Sequence, residues 1–280
     1  MRMENKINTK LEELSTPGEL VSYLDSPRRM QSSQYLYQYT TISALINMIR
    51  THTMHLGNAK YMNDQLEYQN GSSDVWNNLF FTCFMMEDDE SIGMWSMYAQ
   101  PWRDGIKISI PKDILKKWVS EVHEIIEISQ ETKRPTGRKL DSLDEFRVWI
   151  SAVAYSNAEG INLKKTSEFL QVGTVKNELI HNPHTCPELT GYIKDMAWSY
   201  EKELRIKAQF DNWQGFQRAA IKLPDYVINS MIITASPLFE GDLITRLKEA
   251  IQEQLGVGTS KFTGKLSIRN ACDNCSLTVK

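Results

Sequence analysis

The chain has 280 residues, of which 41% are hydrophobic and 24% charged, with a formal net charge of -3 at pH 7. Such a chain can bury a sizeable core and has an ordinary globular balance, and its overall charge excludes it as a general electrostatic trap for nucleic acid, though a local basic patch stays open. No apolar run approaches the roughly 18 residues that span a bilayer, the opening MRMENKINTKLEEL lacks the apolar core of a signal peptide, and Cys83, Cys186, Cys272 and Cys275 are too few and scattered for a disulfide scaffold. The expectation is a reduced, cytoplasmic protein, bacterial in style, with no membrane partner.

In chain order, residues 1–33 read as a helical extension that becomes loop-like, interrupted by Pro17 and Gly18. Residues 34–40, QYLYQYT, read as a tyrosine-rich strand, and a helix follows with Leu45, Met48 and Ile49 at helical spacing. A short strand over 53–56 closes at Gly57-Asn58. The polar stretch 61–67 leads toward a helix that Asp64 is placed to cap. Further strands are expected over 79–85, 105–110 and 122–128, with helices over 92–99 and 112–119. Residues 132–139, TKRPTGRK, read as a basic loop, and 142–180 as largely helical. Residues 181–187 are loop, given Pro183 and Pro187. Strands at 220–223, 231–235 and 265–268 and an amphipathic helix over 243–255 complete the chain. No repeat or linker stands out, so the fold class is α+β, with residues 34–280 as a single mixed domain.

Between them lies SYEKELRIKAQF, residues 199–210. Leu204, Ile206, Ala208 and Phe210 share one parity; Glu203, Arg205, Lys207 and Gln209 share the other, with Glu201 further back. That is the period of a half-buried strand, and it sets two carboxylates and a guanidinium on one face.

Several constellations carry chemistry. Cys272-Asp-Asn-Cys275 has zinc-knuckle spacing, but two more ligands are needed, and His181, His184 and Cys186 supply them only from a distant loop, so a plain turn with free thiols is the better reading and no metal is expected. Phosphate-binding GxGxxG and GxxxxGK[ST] loops and the GxSxG elbow are absent. Lys133, Arg134, Arg138 and Lys139 form a candidate nucleic-acid grip, set against the plainer reading of a solvated loop. Tyr37, Gln38 and Tyr39 put aromatic and amide groups on a strand, and Trp95 and Tyr98, three apart, share a helix face. With Glu201, Glu203 and Arg205 they suggest a cleft that has aromatic walls for a flat ligand, polar groups for a sugar and a carboxylate held by an arginine. Each group alone is better explained by core packing or a surface ion pair.

The order YxYTT, MHLGNAKYMNDQLEYQ, FFTCFMMEDDESIGMWSMYAQPWRDGIKISI and SYEKELRI resembles the bacterial DUF2971 family from about residue 34 almost to the C-terminus. The matching positions are Tyr37/Tyr39, Asn63-Asp64 with Glu67, Cys83-Phe84, the block at Met94-Trp95-Ser96-Met97-Tyr98-Ala99, and Glu201-Lys-Glu203-Leu-Arg205. The layout is also similar to the ADP-ribosyltransferase superfamily, which implies a split β-sheet core with surrounding helices and NAD as substrate. The resemblance places Gln38 at the position that meets the adenosine ribose, where those enzymes carry His or Arg; an amide can bond a ribose hydroxyl too. It places Ser96 and Tyr98 with the nicotinamide, alongside Tyr37, Tyr39, Asn63, Asp64 and Trp95 as further cofactor contacts, and Glu203 as the catalytic carboxylate assisted by Glu201 and Arg205. It implies a toxin or anti-phage effector that modifies nucleic acid or protein, with an antitoxin partner by analogy. A non-catalytic binding or regulatory module on the same fold, and a metal-dependent hydrolase using Asn63, Asp64, Glu67 and the histidines, are the alternatives.

Overall fold

The computed structural model describes residues 33–62, 76–87, 89–141, 145–156, 191–212, 215–250, 255–260, 266–269 and 276–279. Residues 1–32 of the expected extension, the Asn63, Asp64 and Glu67 positions, His181, His184, Cys186, Cys272 and Cys275 lie outside these. The elements in chain order are β1 (Tyr35–Thr41), α1 (Ile42–Thr51), β2 (Thr53–Asn58), β3 (Leu79–Met85), α2 (Ile92–Tyr98), β4 (Gly105–Pro111), α3 (Lys112–Ser120), β5 (Ile125–Ile128), β6 (Pro135–Leu140) and β7 (Phe146–Ala152). They continue with β8 (Ala154–Ser156), β9 (Ile193–Asp195), β10 (Glu203–Phe210), β11 (Arg218–Lys222), α4 (Asp225–Ile228), β12 (Ile232–Ala235), α5 (Leu243–Ala250), β13 (Gly256–Gly258), β14 (Leu266–Arg269) and β15 (Ser276–Val279). The class is α+β. The chain gathers into two compact units, each assembled from separate segments.

One unit takes residues 33–54, 84–120 and 222–280. Its spine is β4, which pairs antiparallel with β1 from Tyr35↔Pro111 to Thr41↔Gly105 and with β12 from Ile232↔Ser109 to Ala235↔Ile106. Strand β12 pairs in parallel with β13. Ile106, Ile108 and Ile110 of β4 are fully buried, as expected of a central strand with both faces covered. Helix α1 starts where Thr41 caps it, its hydroxyl accepting from Ala44 N, and stops at His52, whose left-handed backbone sends its N–H back to the last turn. It buries Ile42, Leu45, Met48 and Ile49, the expected helical stripe. Helix α3 is fixed by Trp118, whose indole N–H donates to Lys222 O at 2.8 Å. A side chain at residue 105 would put its Cβ 2.5 Å from Ala99 O, so Gly105 lets β4 start against the end of α2. Strands β14 and β15 form an antiparallel hairpin.

The other unit takes residues 55–83 and 121–221. Strand β10 pairs antiparallel with β7 from Leu204↔Ala152 to Phe210↔Phe146, and it also pairs with β3. Strand β3 pairs with β2 at Gly57↔Phe81 and Asn58↔Phe80. Strands β11, β5 and β6 form an antiparallel set, and β8 and β9 a separate parallel pair. One face of β10 and β7 carries the apolar parity: Leu204, Ile206, Ala208 and Phe210 face Ala152, Ile150, Val148 and Phe146. Phe210 meets Phe80 at 4.9 Å and Phe216 edge-on at 5.4 Å between ring centroids.

Three sequence expectations are corrected here. Residues 146–152, taken as helix, form strand β7; Phe146, Val148, Ile150 and Ala152 alternate with Arg147, Trp149 and Ser151, and β-branched and aromatic side chains favour the pleat. The basic loop becomes strand β6 from Pro135, because pairing with β5 extends the hairpin through Lys139 and Leu140. Strand β10, expected to be half exposed, is buried along its whole length, polar parity included. Among the described residues no helix is long and apolar enough to cross a membrane.

Candidate active site on strand β10

The polar parity of β10 is a buried row with no water face, and its ionisable members, Glu203, Arg205 and Lys207, are each met by a partner. Arg205 and Glu203 sit two residues apart on one face. The Arg205 Nε donates to Glu203 Oε1 at 2.8 Å and a terminal nitrogen to Oε2 at 3.2 Å, a two-pronged contact within one strand. The other terminal nitrogen donates to Gly191 O at 2.5 Å, and the guanidinium lies 4.9 Å from the Phe81 ring centroid. Arg205 is 0% exposed and Glu203 4%. Gly191 is required: its φ is +78°, and a Cβ there would stand 2.4 Å from Phe81 Cζ.

Lys194 of β9 closes the group. Its Nζ donates to Glu201 Oε2 at 2.5 Å and to Glu203 Oε2 at 3.4 Å, and it lies 4.5 Å from the Trp198 ring centroid. Lys194 is 4% exposed and Glu201 3%. Glu201 ends a 3-10 turn, Met196–Glu201, that Asp195 caps by accepting from Ala197 N. Lys202 follows in a left-handed conformation, φ 44°, and the chain then enters β10, so both carboxylates turn to the same ammonium. The Glu203 backbone is held as well, with its N–H donating to the Tyr155 hydroxyl at 2.8 Å and its carbonyl accepting from Val153 N.

Protonation follows from this geometry. Burial alone would push the Glu203 carboxyl up, but the Arg205 charge and then Lys194 outweigh it and hold the pKa at about 2. Burial and the Arg205 charge work against the Lys194 ammonium, yet Glu203 and Glu201 leave its pKa raised. The Cys83 thiol and the Tyr155 phenol are pushed well up, first by burial and then by the Glu203 charge, so both keep their protons beside an anion. The row continues to Lys207, fully buried with Nζ 4.5 Å from the Trp149 centroid and 4.6 Å from the Tyr192 centroid. It ends at Gln209, whose buried amide oxygen has no hydrogen-bond partner among the described residues.

The structure thus brings Glu201, Glu203 and Arg205 together: Glu203 and Arg205 share a face of β10, as the alternation implies, whereas Glu201, expected on the same strand face, ends the 3-10 turn that precedes the strand. Lys194, Tyr155, Tyr192 and Trp149 were not singled out from the sequence. The Tyr192-Ile-Lys194 alternation after Gly191 was the available signal for the first of these. Cys83, quoted only for its family match, lies against Glu203.

The remaining candidates fall in the other unit or on an exposed hairpin. Tyr37, Tyr39 and Trp95 are buried in one cluster with Met94, Ala99 and Trp102. Tyr39 meets Trp95 edge-on at 4.8 Å between centroids. Tyr98 packs on this cluster while partly exposed, and Ser96 is half-buried one step away on α2. Gln38 points to the opposite face of β1, level with Ile108. Beneath Tyr37 the buried Lys107 ammonium lies 5.1 Å from the ring centroid and 3.2 Å from Glu90 Oε1, and Ser260 donates to Glu90 Oε2 at 3.0 Å. Lys133, Arg134, Arg138 and Lys139 are all exposed. Lys139 pairs with Glu124 at 2.7 Å, Arg138 lies 3.9 Å from Glu127 and 4.7 Å from the Phe216 centroid, and Lys133 donates to Gln130 O. Much of this basic charge is therefore spent on local partners. Among the described residues no group of three His, Cys, Asp or Glu side chains is placed to hold a metal.

Among solved structures the chain is similar to Thermus sp. 2.9 DarT in complex with NAD+, at 10% identity and a TM-score of 0.34, over 81% of this chain and 96% of that one. It is similar too to the same protein in complex with carba-NAD+, at 10% identity and a TM-score of 0.33, over 81% and 95%. No curated protein matches it. The profile of a family described as a protein of unknown function, DUF2971, matches residues 94–206, a stretch that opens at α2 and closes on the Glu201, Glu203 and Arg205 cluster.

Proposed function

We propose that this chain is an NAD-dependent ADP-ribosyltransferase with Glu203 as its catalytic carboxylate. The observation that carries the reading is the Glu203–Arg205 contact: a carboxylate held ionised down to about pH 2 at the position where the superfamily resemblance expects one. In the reaction the bond between the nicotinamide nitrogen and the ribose carbon breaks, and nicotinamide leaves with the bonding electron pair as a neutral molecule. Positive charge builds on the ribose, an oxocarbenium-like state of the kind met in glycoside cleavage. A preorganised anion stabilises that charge without reorganising, and Glu203 fits the role because Arg205 fixes both its ionisation and its orientation. Glu201 takes the proton of the attacking hydroxyl or amine as the acceptor bonds to the ribose carbon. The acceptor is nucleic acid or protein, and the effector role with an antitoxin partner follows from the family resemblance alone.

The test is incubation of the pure protein with labelled NAD and, separately, cell protein, RNA and DNA, with Glu203→Gln in parallel. Label is expected in one fraction with the wild type only. An unchanged rate of NAD loss in Glu203→Gln sinks the assignment. A second reading, a non-catalytic binding module, is favoured by one observation: both Glu203 oxygens already have donors and the side chain is 4% exposed. NAD-analogue binding with no turnover under any condition supports that reading.

A further inference from the structure

The four charges around Glu203 cancel: Glu201 and Glu203 against Arg205 and Lys194. The two cations are held in different ways. Arg205 belongs to β10 itself, forks onto Glu203, donates to Gly191 O and lies over Phe81, so it is part of the strand's own construction. Lys194 comes from β9, three residues long and paired to the equally short β8 in a two-stranded sheet. Its ammonium is the group that reaches both carboxylates at once.

We propose that the Glu201–Glu203 pair is a receptor for a cationic centre and that the chain fills it with its own Lys194, holding the site shut until β9 withdraws. This rests on the reading of Glu203 as the catalytic carboxylate. NAD brings two such centres, the pyridinium ring and the ribosyl carbon that gains charge as the ring departs. An ammonium already between the carboxylates neutralises the field that would stabilise either one, and like charges at that distance repel. With Lys194 gone the cluster carries one net negative charge, and Glu203 Oε2 loses its Lys194 contact while keeping the one from Arg205. The contact is therefore an internal mimic of the substrate's positive charge, and whatever draws β9 away from Glu201 switches the site on.

The test uses the full chain with Lys194→Met and Lys194→Ala, each alone and combined with Glu203→Gln. Nicotinamide release from NAD is expected to rise by about tenfold or more in Lys194→Met, and the gain disappears when Glu203→Gln is added. Ethylammonium chloride is expected to raise the melting temperature of Lys194→Ala where equal sodium chloride does not, and to suppress its gained turnover, because the small ammonium refills the vacated place. A natively folded Lys194→Met, by near-ultraviolet circular dichroism, with turnover equal to or below a wild type that consumes NAD, overturns the inference and leaves the NAD reading standing. No turnover in any variant, with an ethylammonium response that Glu203→Gln removes, keeps the cation receptor and removes NAD as its ligand. No turnover and no ethylammonium response overturns both.

Discussion

Among the described residues, charge is buried on the face of β10 and on the face of β1 and β4, and the two use it differently. At the start of β10, Glu203 and Arg205 form with Glu201 of the preceding turn and Lys194 of β9 a cluster of four ionised groups in which each carboxylate meets a cation at hydrogen-bond distance. On β1 and β4 the charge is a single Lys107–Glu90 pair, and the rest of that face is aromatic: Tyr37, Tyr39, Trp95 and Trp102. The first arrangement gains little stability over an apolar core of equal volume, because desolvating the ions offsets their attraction. What it does provide is a fixed protonation state at a fixed place. The second gains its stability from burying large rings. A face built of mutually locked ions is a candidate for chemistry, and a face built of rings around one ion pair is first of all a core.

The largest effect should come from breaking the fork on β10. Arg205→Met leaves Glu203 buried beside Glu201 with Lys194 alone to balance them, and the loss should be about 3–5 kcal/mol in denaturant unfolding. A loss below about 1 kcal/mol would mean that the fork contributes no more than an exposed pair does. Acid should have the next largest effect. The Glu203 pKa is depressed from 4.5 to about 2 in the fold, so its contribution is fully present above pH 4.5 and drains away as the pH falls toward 2. That loss is on the order of 3 kcal/mol, and unfolding titrations of Glu203→Gln should lack this part of the acid slope. The smallest effect should come from the aromatic face. Trp95→Phe keeps an edge for Tyr39 and should cost about 1–3 kcal/mol without moving the acid transition. An acid transition that does move would tie Trp95 to the ionic cluster and end the contrast between the two faces.

Much of the local structure was legible. The alternation over 203–210 identifies β10, and the Ile42–Thr51 helix is readable from Leu45, Met48 and Ile49. The pairing of Glu203 with Arg205 follows from period two, since residues two apart on a strand share a face. The misread elements have definite causes. Residues 146–152 fall inside the stretch 142–180 read as largely helical, although Val148, Trp149 and Ile150 are strand formers and the stretch alternates. Residues 135–140 carry glycine, proline and basic side chains, each a loop signal, and the strand exists because β5 offers a hydrogen-bonding edge. The aromatic residues read as cleft walls, Tyr37, Tyr39 and Trp95, sit in a core cluster, because a ring that suits a ligand suits a neighbouring ring equally well.

By itself, then, the sequence determined periodicity: which side chains share a face, where α1 and α2 begin, and that Glu203 and Arg205 line one strand. Those are consequences of backbone geometry over a few residues. Only the tertiary structure decided that this polar face is covered, that Lys194 arrives on it nine residues before Glu203 in the chain, and that Gly191 opens the close approach beside Phe81. Burial and charge pairing depend on segments far apart in sequence, and the pKa of Glu203 is set by their sum.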